Sequence, residues 1–466
     1  MDYTNNFREL LNRTFSLYQL KHMKRKFLIG LLICASGFTA MAQTKSSEIK
    51  FTEYDLSNGL HVILSQDHST PNVAVSVLYH VGSKNEVKGR TGFAHFFEHL
   101  MFEGSENIDR GQYMAMVENA GGALNANTSF DRTYYYELLP SNQVGLGLWM
   151  EAERMKGAKV DETGVETQRK VVQEEKRQRI DNQPYGTMGE NVFALAFNEH
   201  PYHNMPIGTF EDLNNAKIDE FRDFYHTFYV PNNATLSIAG DINIDSTKQM
   251  IEKYFASIPK GTKDIPRPTV VEPKQTEERR KVVYDNIQLP AVIEAYHVPE
   301  QGTEDYYALS MLTTLLSGGE SARLPKALVD KQQQAVAASS IPFPTEDPGL
   351  FLTFAIANMG VNVDTLEQAM DTEINRVKTE PISDREFQKL RNQIESNFVQ
   401  QNSTVAGRAE SLADYHVYYG DANLINTELN RYMKVTKDDI QRVAKQYLTE
   451  DNRVVLHYLP KSAQPK

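Results

Sequence analysis

The stretch His95-Phe96-Phe97-Glu98-His99 sets two imidazoles and a carboxylate inside an apolar run that also holds Phe93, Ala94, Leu100, Met101 and Phe102. Spacing predicts a helix over residues 92–102 whose circumference is almost wholly apolar, so it must be buried. Polar groups inside such a helix need partners. Residues four apart share a helical face, so His95 and His99 point the same way, and Glu98, three after His95, stays beside them. Two buried histidines bonded to backbone, with Glu98 paired to a cation, is the bland reading of this pattern. The added glutamate and the apolar setting favour a zinc site instead.

A catalytic zinc takes three protein ligands and keeps the fourth position open, so one more ligand has to come from elsewhere. The segment from Val165 to Arg177 reads as a long charged helix with one modest apolar stripe. Glu175 lies on that stripe, three after Val172 and four after Val171, whereas Glu174 is turned about 100° away. By spacing alone, Glu175 is still one glutamate among many on this helix.

His-x-x-Glu-His, followed 76 residues later by Glu175 in a Val-Val-x-x-Glu-Lys-Arg context, resembles the inverzincin zinc metallopeptidases of the insulinase/pitrilysin family, in particular their short processing-peptidase-like branch. The similarity continues through Leu100 to Ser105, Gly121 to Ala126, Asp131 to Tyr135, Asp181 to Gly186, and Val230 to Asp241, spanning Phe51 to Leu459. The resemblance implies one Zn2+ per chain, held by His95, His99 and Glu175, with Glu98 as catalytic base. It further implies an α+β fold of two similar αβ domains, each a mixed or antiparallel sheet with helices, joined by a linker and facing a substrate cavity. The segment Leu124 to Leu139 reads as an edge hairpin, where relatives add the substrate peptide as an extra strand. Asn125 and Ala126 are therefore expected to touch substrate. Members of the family often carry a second glutamate seven residues before the metal-binding one. Here that position is Gln168, whose amide can hydrogen-bond a ligand but brings no negative charge to a histidine N–H.

The remaining expectations concern organisation. Lys24-Arg25-Lys26, the apolar run Phe27 to Cys34, and Ala40-Met41-Ala42 have the three parts of a secretory signal peptide, with cleavage after Ala42 and Met23 as an alternative start. The apolar run is too short for a membrane-spanning helix. Residues 43–258 read as a zinc-binding peptidase domain, 259–278 as a Pro-, Lys- and Thr-rich linker, and 279–466 as a second domain of the family without the metal motif. Cys34 is the only cysteine and would leave with the signal, so the mature chain has no disulfide. Acylation of Cys34 is the weaker reading, because Ile33 is bulky. Removal of residues 1–42 takes away six basic and two acidic side chains from 49 and 61, leaving a net charge of −16. Such acidity argues against nucleic-acid binding and against an anionic membrane surface, and favours basic peptides by long-range attraction; the signal peptide implies export to the periplasm or outside a bacterial cell.

The second half also shows a loss. Self-sufficient relatives carry an Arg and a Tyr seven residues apart that assist substrate binding and the transition state. The corresponding positions here are Val329 and Val336, neither of which can donate a hydrogen bond. The resemblance thus implies a zinc-dependent endopeptidase that is the metal-bearing subunit of a two-chain enzyme, its partner a metal-free paralogue supplying Arg and Tyr; a homodimer is the other arrangement. A non-catalytic zinc-binding assembly subunit is the alternative, and the intact Glu98 speaks against it.

Overall fold

A computed structural model describes residues 48–465. The signal-peptide reading, Met23 and Cys34 lie outside the described residues. Within residues 50–466, two sheets carry the fold. The first runs β1 (Thr52–Asp55), β2 (His61–Gln66), β6 (Ala234–Gly240), β3 (Asn72–Tyr79), β5 (Thr133–Pro140), β4 (Ala123–Thr128). The second runs β7 (Arg279–Asp285), β11 (Arg453–Pro460), β8 (Ala291–Val298), β10 (Gly349–Ala357), β9 (Ala335–Phe343). Without β1 the two orders are the same. Each begins with a parallel pair, β2 with β6 and β7 with β11, and continues antiparallel. This is the duplicated two-domain architecture that the resemblance implied. Between the halves, residues 259–278 contain neither helix nor strand.

The central strands read as unbroken apolar runs because both sheet faces are covered. Alternation along β3 sends Val73, Val75, Val77 and Tyr79 into the main core of the first half, while Ala74 and Leu78 face the other way. The helix that covers this second face, Val405–Tyr419, comes from the other half, and presents Ala409 and Ala413 to it. The exchange is reciprocal: helix Met188–Ala196 of the first half packs on β7, β8 and β11. Each sheet is therefore closed by a helix from the opposite half.

Helix α1 (Phe93–Leu100) is shorter than the apolar run that announces it. It starts at Gly92, whose φ of +89° and close approach to the Ile207 carbonyl suit only glycine. The carboxylate of Glu86 accepts from the N–H groups of Gly92 and Ala94 at 2.8 and 2.9 Å, capping the helix. Burial pushes Glu86 up to about 8 despite these bonds. Phe93 then stacks on Phe221, with Phe96 and Phe97 packed at an angle to the same ring, which fixes the rotation of α1 and leaves His95, Glu98 and His99 on its one polar face. Helix α2 (Glu162–Lys176), capped by Asp161, packs across α1 and continues into a π-helical turn over Arg177–Asp181. In the second half the equivalent pair is α3 (Glu304–Ser317) and α4 (Asp384–Ser403), joined by Gln393 Nε2 donating to Gly318 O at 2.7 Å instead of by histidines. No helix among the described residues is long and apolar enough to cross a membrane.

Candidate metal centre

Where α2 crosses α1, three side chains converge. The Nε2 atoms of His95 and His99 lie 3.6 and 3.1 Å from Glu175 Oε2. Ligands bound tetrahedrally to zinc at about 2.1 Å stand about 3.4 Å apart, so these separations are those of a zinc edge. Glu175 faces inward with 15% of its side chain exposed and Glu174 outward with 54%, as their positions on the stripe require. Glu175 Oε2 is buried between the two imidazole Nε2 atoms, where a cation would complete the cluster.

The electrostatics of the cluster are set by burial and by the charges its members place on one another. Burial, then the neighbouring His99, lowers His95 to about 3, so it stays neutral with its lone pair free. Burial alone would raise Glu175, but the bond from His99 and the charge of both imidazoles bring it down to about 2. His99 is raised: Glu175 outweighs the penalty of burial, with Glu98 and Gln168 adding to it. Glu98 lies beside the cluster, its Oε2 accepting from Thr128 Oγ1 at 2.7 Å. Thr128 ends β4, so the strand at the sheet edge and the glutamate of α1 are tied directly.

Asn125 and Ala126 also lie on β4, which pairs with β5 on one side only; β5 itself is interior, bonded to β3. The sequence hairpin is thus an edge strand and a central one. Asn125 is exposed, whereas Ala126 points into the core opposite Tyr135, so only its backbone is open to a peptide. Gln168 donates through Nε2 to Glu103, which also holds Arg110. The carboxylate missing at 168 is therefore supplied one step further out, by Glu103. Arg179, on the π-turn, holds the second oxygen of Glu175 at 2.8 Å. Glu103, Thr128 and Arg179 were not singled out by sequence reasoning; Arg179 had a signal, standing four residues after Glu175 on one helical face.

In the second half, Val329 packs against the core and Val336 lies on the edge strand β9. Arg323 is committed to Glu386 through two bonds at 3.2 and 3.4 Å, and Tyr306 packs against the same core, so neither stands free in place of the absent Arg and Tyr.

A two-half fold with a His-His-Glu centre on the first half defines a class, and comparison with known proteins agrees. Residues 61–209 match the family model described as insulinase (peptidase family M16), and residues 215–394 that of the peptidase M16 inactive domain. The chain belongs to the insulinase family, M16. It is 32% identical over 447 residues to a Helicobacter pylori protein named zinc protease PqqE, covering 95% of this chain and all of that one. A crystal structure of a protease from Helicobacter pylori superposes with a TM-score of 0.85 at 31% identity, over 88% of this chain and all of that chain. The first half of the periplasmic protease PqqL from Escherichia coli shares the fold, with a TM-score of 0.72 at 18% identity over 88% of this chain and 92% of that chain.

Proposed function

We propose that this protein is a zinc-dependent endopeptidase acting on peptides or unfolded polypeptide segments. The observation that carries the reading is the convergence of His95 Nε2, His99 Nε2 and a buried carboxylate oxygen of Glu175, with Glu98 alongside. His95, His99 and Glu175 would hold one Zn2+ per chain. Zinc, when bound, acts as a Lewis acid on the scissile carbonyl and makes water acidic enough to attack near neutral pH. Glu98 takes the proton of the attacking water and returns it to the leaving amine. Thr128 holds the Glu98 carboxylate in place, Arg179 orients Glu175, and Gln168 with Glu103 backs His99. The open edge of β4 at Asn125 and Ala126 aligns the peptide backbone beside these groups. In this reading residues 43–258 carry the chemistry and 279–466 do not.

The experiment is paired substitution. Glu98→Gln should keep about one zinc at this centre by elemental analysis and lose hydrolysis, whereas Glu175→Gln should lose that zinc as well. Normal zinc and normal activity in the Glu175 variant would overturn the ligand assignment.

The chain is further proposed to work with a metal-free paralogue that supplies the Arg and Tyr absent at Val329 and Val336. Co-expression with such a partner should raise peptide cleavage; full activity of the chain alone, unchanged by the partner, argues against it. The match of residues 215–394 to a domain described as inactive is the one observation that favours a non-catalytic assembly role. Chelator-sensitive cleavage by the purified chain or pair decides between the two. Export is proposed from the signal-like N-terminus together with the periplasmic description of PqqL, and sequencing of exported protein should give a start at or near Gln43.

A further inference from the structure

A second cluster of histidine and carboxylate lies where the two halves meet. Across the β1–β2 ladder, Asp55 is paired directly with His61 and Glu53 stands two residues along the same face. His61 Nδ1 lies 2.7 Å from Asp55 Oδ1, so Nδ1 is engaged there and Nε2 is the ring nitrogen turned toward Glu53. That Nε2 is buried and makes no hydrogen bond, although Glu53 Oε2 is only 3.4 Å away. A polar pair at this distance needs a proton or a cation between its two atoms. The separation again matches two ligands on one tetrahedral zinc, about 3.4 Å. An imidazole whose Nδ1–H is held by a carboxylate, with Nε2 free, is the form in which histidine meets metals.

The third group comes from the opposite half. Helix Val405–Tyr419 lays Ala409, Ala413 and His416 along one stripe toward the first sheet, and the ring of His416 stacks on that of His61 at 3.5 Å, parallel within 2°. Parallel rings cannot both aim at one ion, so His416 must turn about its Cβ–Cγ bond on loading. Among the described residues no hydrogen bond holds its ring against that turn. Other groupings of this kind already hold their own cations: Glu367, shared by Asp364, His457, Glu294 and Asp371, is paired with Arg280 and Arg453. Among the described residues no lysine or arginine pairs with Glu53 or Asp55, whose ion-pair partner is His61.

We propose that Glu53, His61 and His416 form a second zinc-class site, distinct from the His95 centre, that staples the exchanged helix of the second half to the edge of the first sheet. Three protein ligands leave the fourth position of this linking site to water. The site would make the contact between the halves depend on metal without taking part in peptide hydrolysis.

The test uses the full chain, stripped with a chelator and titrated with Zn2+, read by equivalents bound and by melting temperature. The wild type should bind two equivalents; His416→Phe, which keeps the ring stack, should bind one, and Glu53→Gln, at a half-exposed position, should weaken the same equivalent at least tenfold. Both variants should fold, and both should lose part of the rise in melting temperature that zinc produces. Equal stoichiometry in wild type and both variants would overturn the proposal and leave His61 as an ion-pair partner of Asp55 and Glu53. Because the comparison is a difference between wild type and variant, it holds whether or not Glu175 binds the other equivalent.

Discussion

Glu175 shows how far single residues were legible. Its inward direction followed from its phase with Val172, which is buried, whereas Val171, read onto the same stripe, is exposed; His95, Glu98 and His99 were fixed by the same local phase on α1. What stands around them was not legible, because it is brought by other elements: Thr128 reaches Glu98 from 30 residues away and Glu103 meets Gln168 from 65. His416 looked isolated in sequence for the same reason, its neighbour His61 lying in the other half. Two expectations follow at this scale. Thr128→Val removes a hydrogen bond to a charged group, a loss of about 1.5 kcal/mol, so kcat should fall about tenfold with zinc content and KM nearly unchanged. The second concerns pH in the metal-free chain. His95 has its folded-state pKa depressed to about 3 from 6.5, so the folded state binds fewer protons there than the unfolded one. The stability it contributes is present above about 6.5 and is lost as pH falls toward 3; Glu175, depressed to about 2 from 4.5, adds a loss of the same sign at lower pH. Denaturant titrations in chelator at pH 7 and 4.5 should show a smaller drop in stability for His95→Phe than for wild type.

Among the elements, the strands with both faces covered were the readable ones. Val73 to Leu78 and Ala234 to Ala239 became β3 and β6 because continuous apolar runs suit strands buried on two sides. The hairpin was only half readable. Its polar, Asn-rich β4 fits an edge, but the Tyr-rich β5 is interior, where Tyr135 donates to the Phe97 carbonyl at 2.9 Å and so ties the sheet to the metal-bearing helix. What covers the far face of the sheet was invisible, since Ala409 and Ala413 give a helix no strong apolar stripe. They are small because the helix lies close on Ala74, Ala239 and Leu78. Ala409→Leu should therefore overpack this contact and destabilise the protein by about 1–3 kcal/mol, seen as a lower melting temperature. The same change at exposed Lys434, on a surface helix, should be nearly neutral.

Residues 50–465 form two halves in sequence and one body in space. Composition separates them at the Pro-rich segment, yet each half lends a helix to the other, so neither can bury both faces of its own sheet alone. Ion pairs reinforce the exchange at the β4–β5 turn. Arg132 pairs with Glu410 and Asp414 on the exchanged helix, while Lys84 meets Asp131 at 2.9 Å, Asp347 at 3.1 Å, and Glu346, the last two on the β9–β10 hairpin. Asp131 and Glu346 keep Lys84 above its ordinary value against the pull of burial. Removing one partner from such a set leaves buried charge uncompensated, at a cost of about 3–5 kcal/mol. Arg132→Met should therefore lower the melting temperature of the entire chain and not of one half. The same reasoning predicts a single calorimetric transition for residues 43–466, with a calorimetric enthalpy equal to the van't Hoff value. Expressed separately, 43–258 and 279–466 should each expose an apolar sheet face, bind a hydrophobic dye and lack a cooperative melt. Two resolved transitions, or a half that melts cooperatively by itself, would show that the exchanged helices are a contact between independent domains and not part of each domain's core.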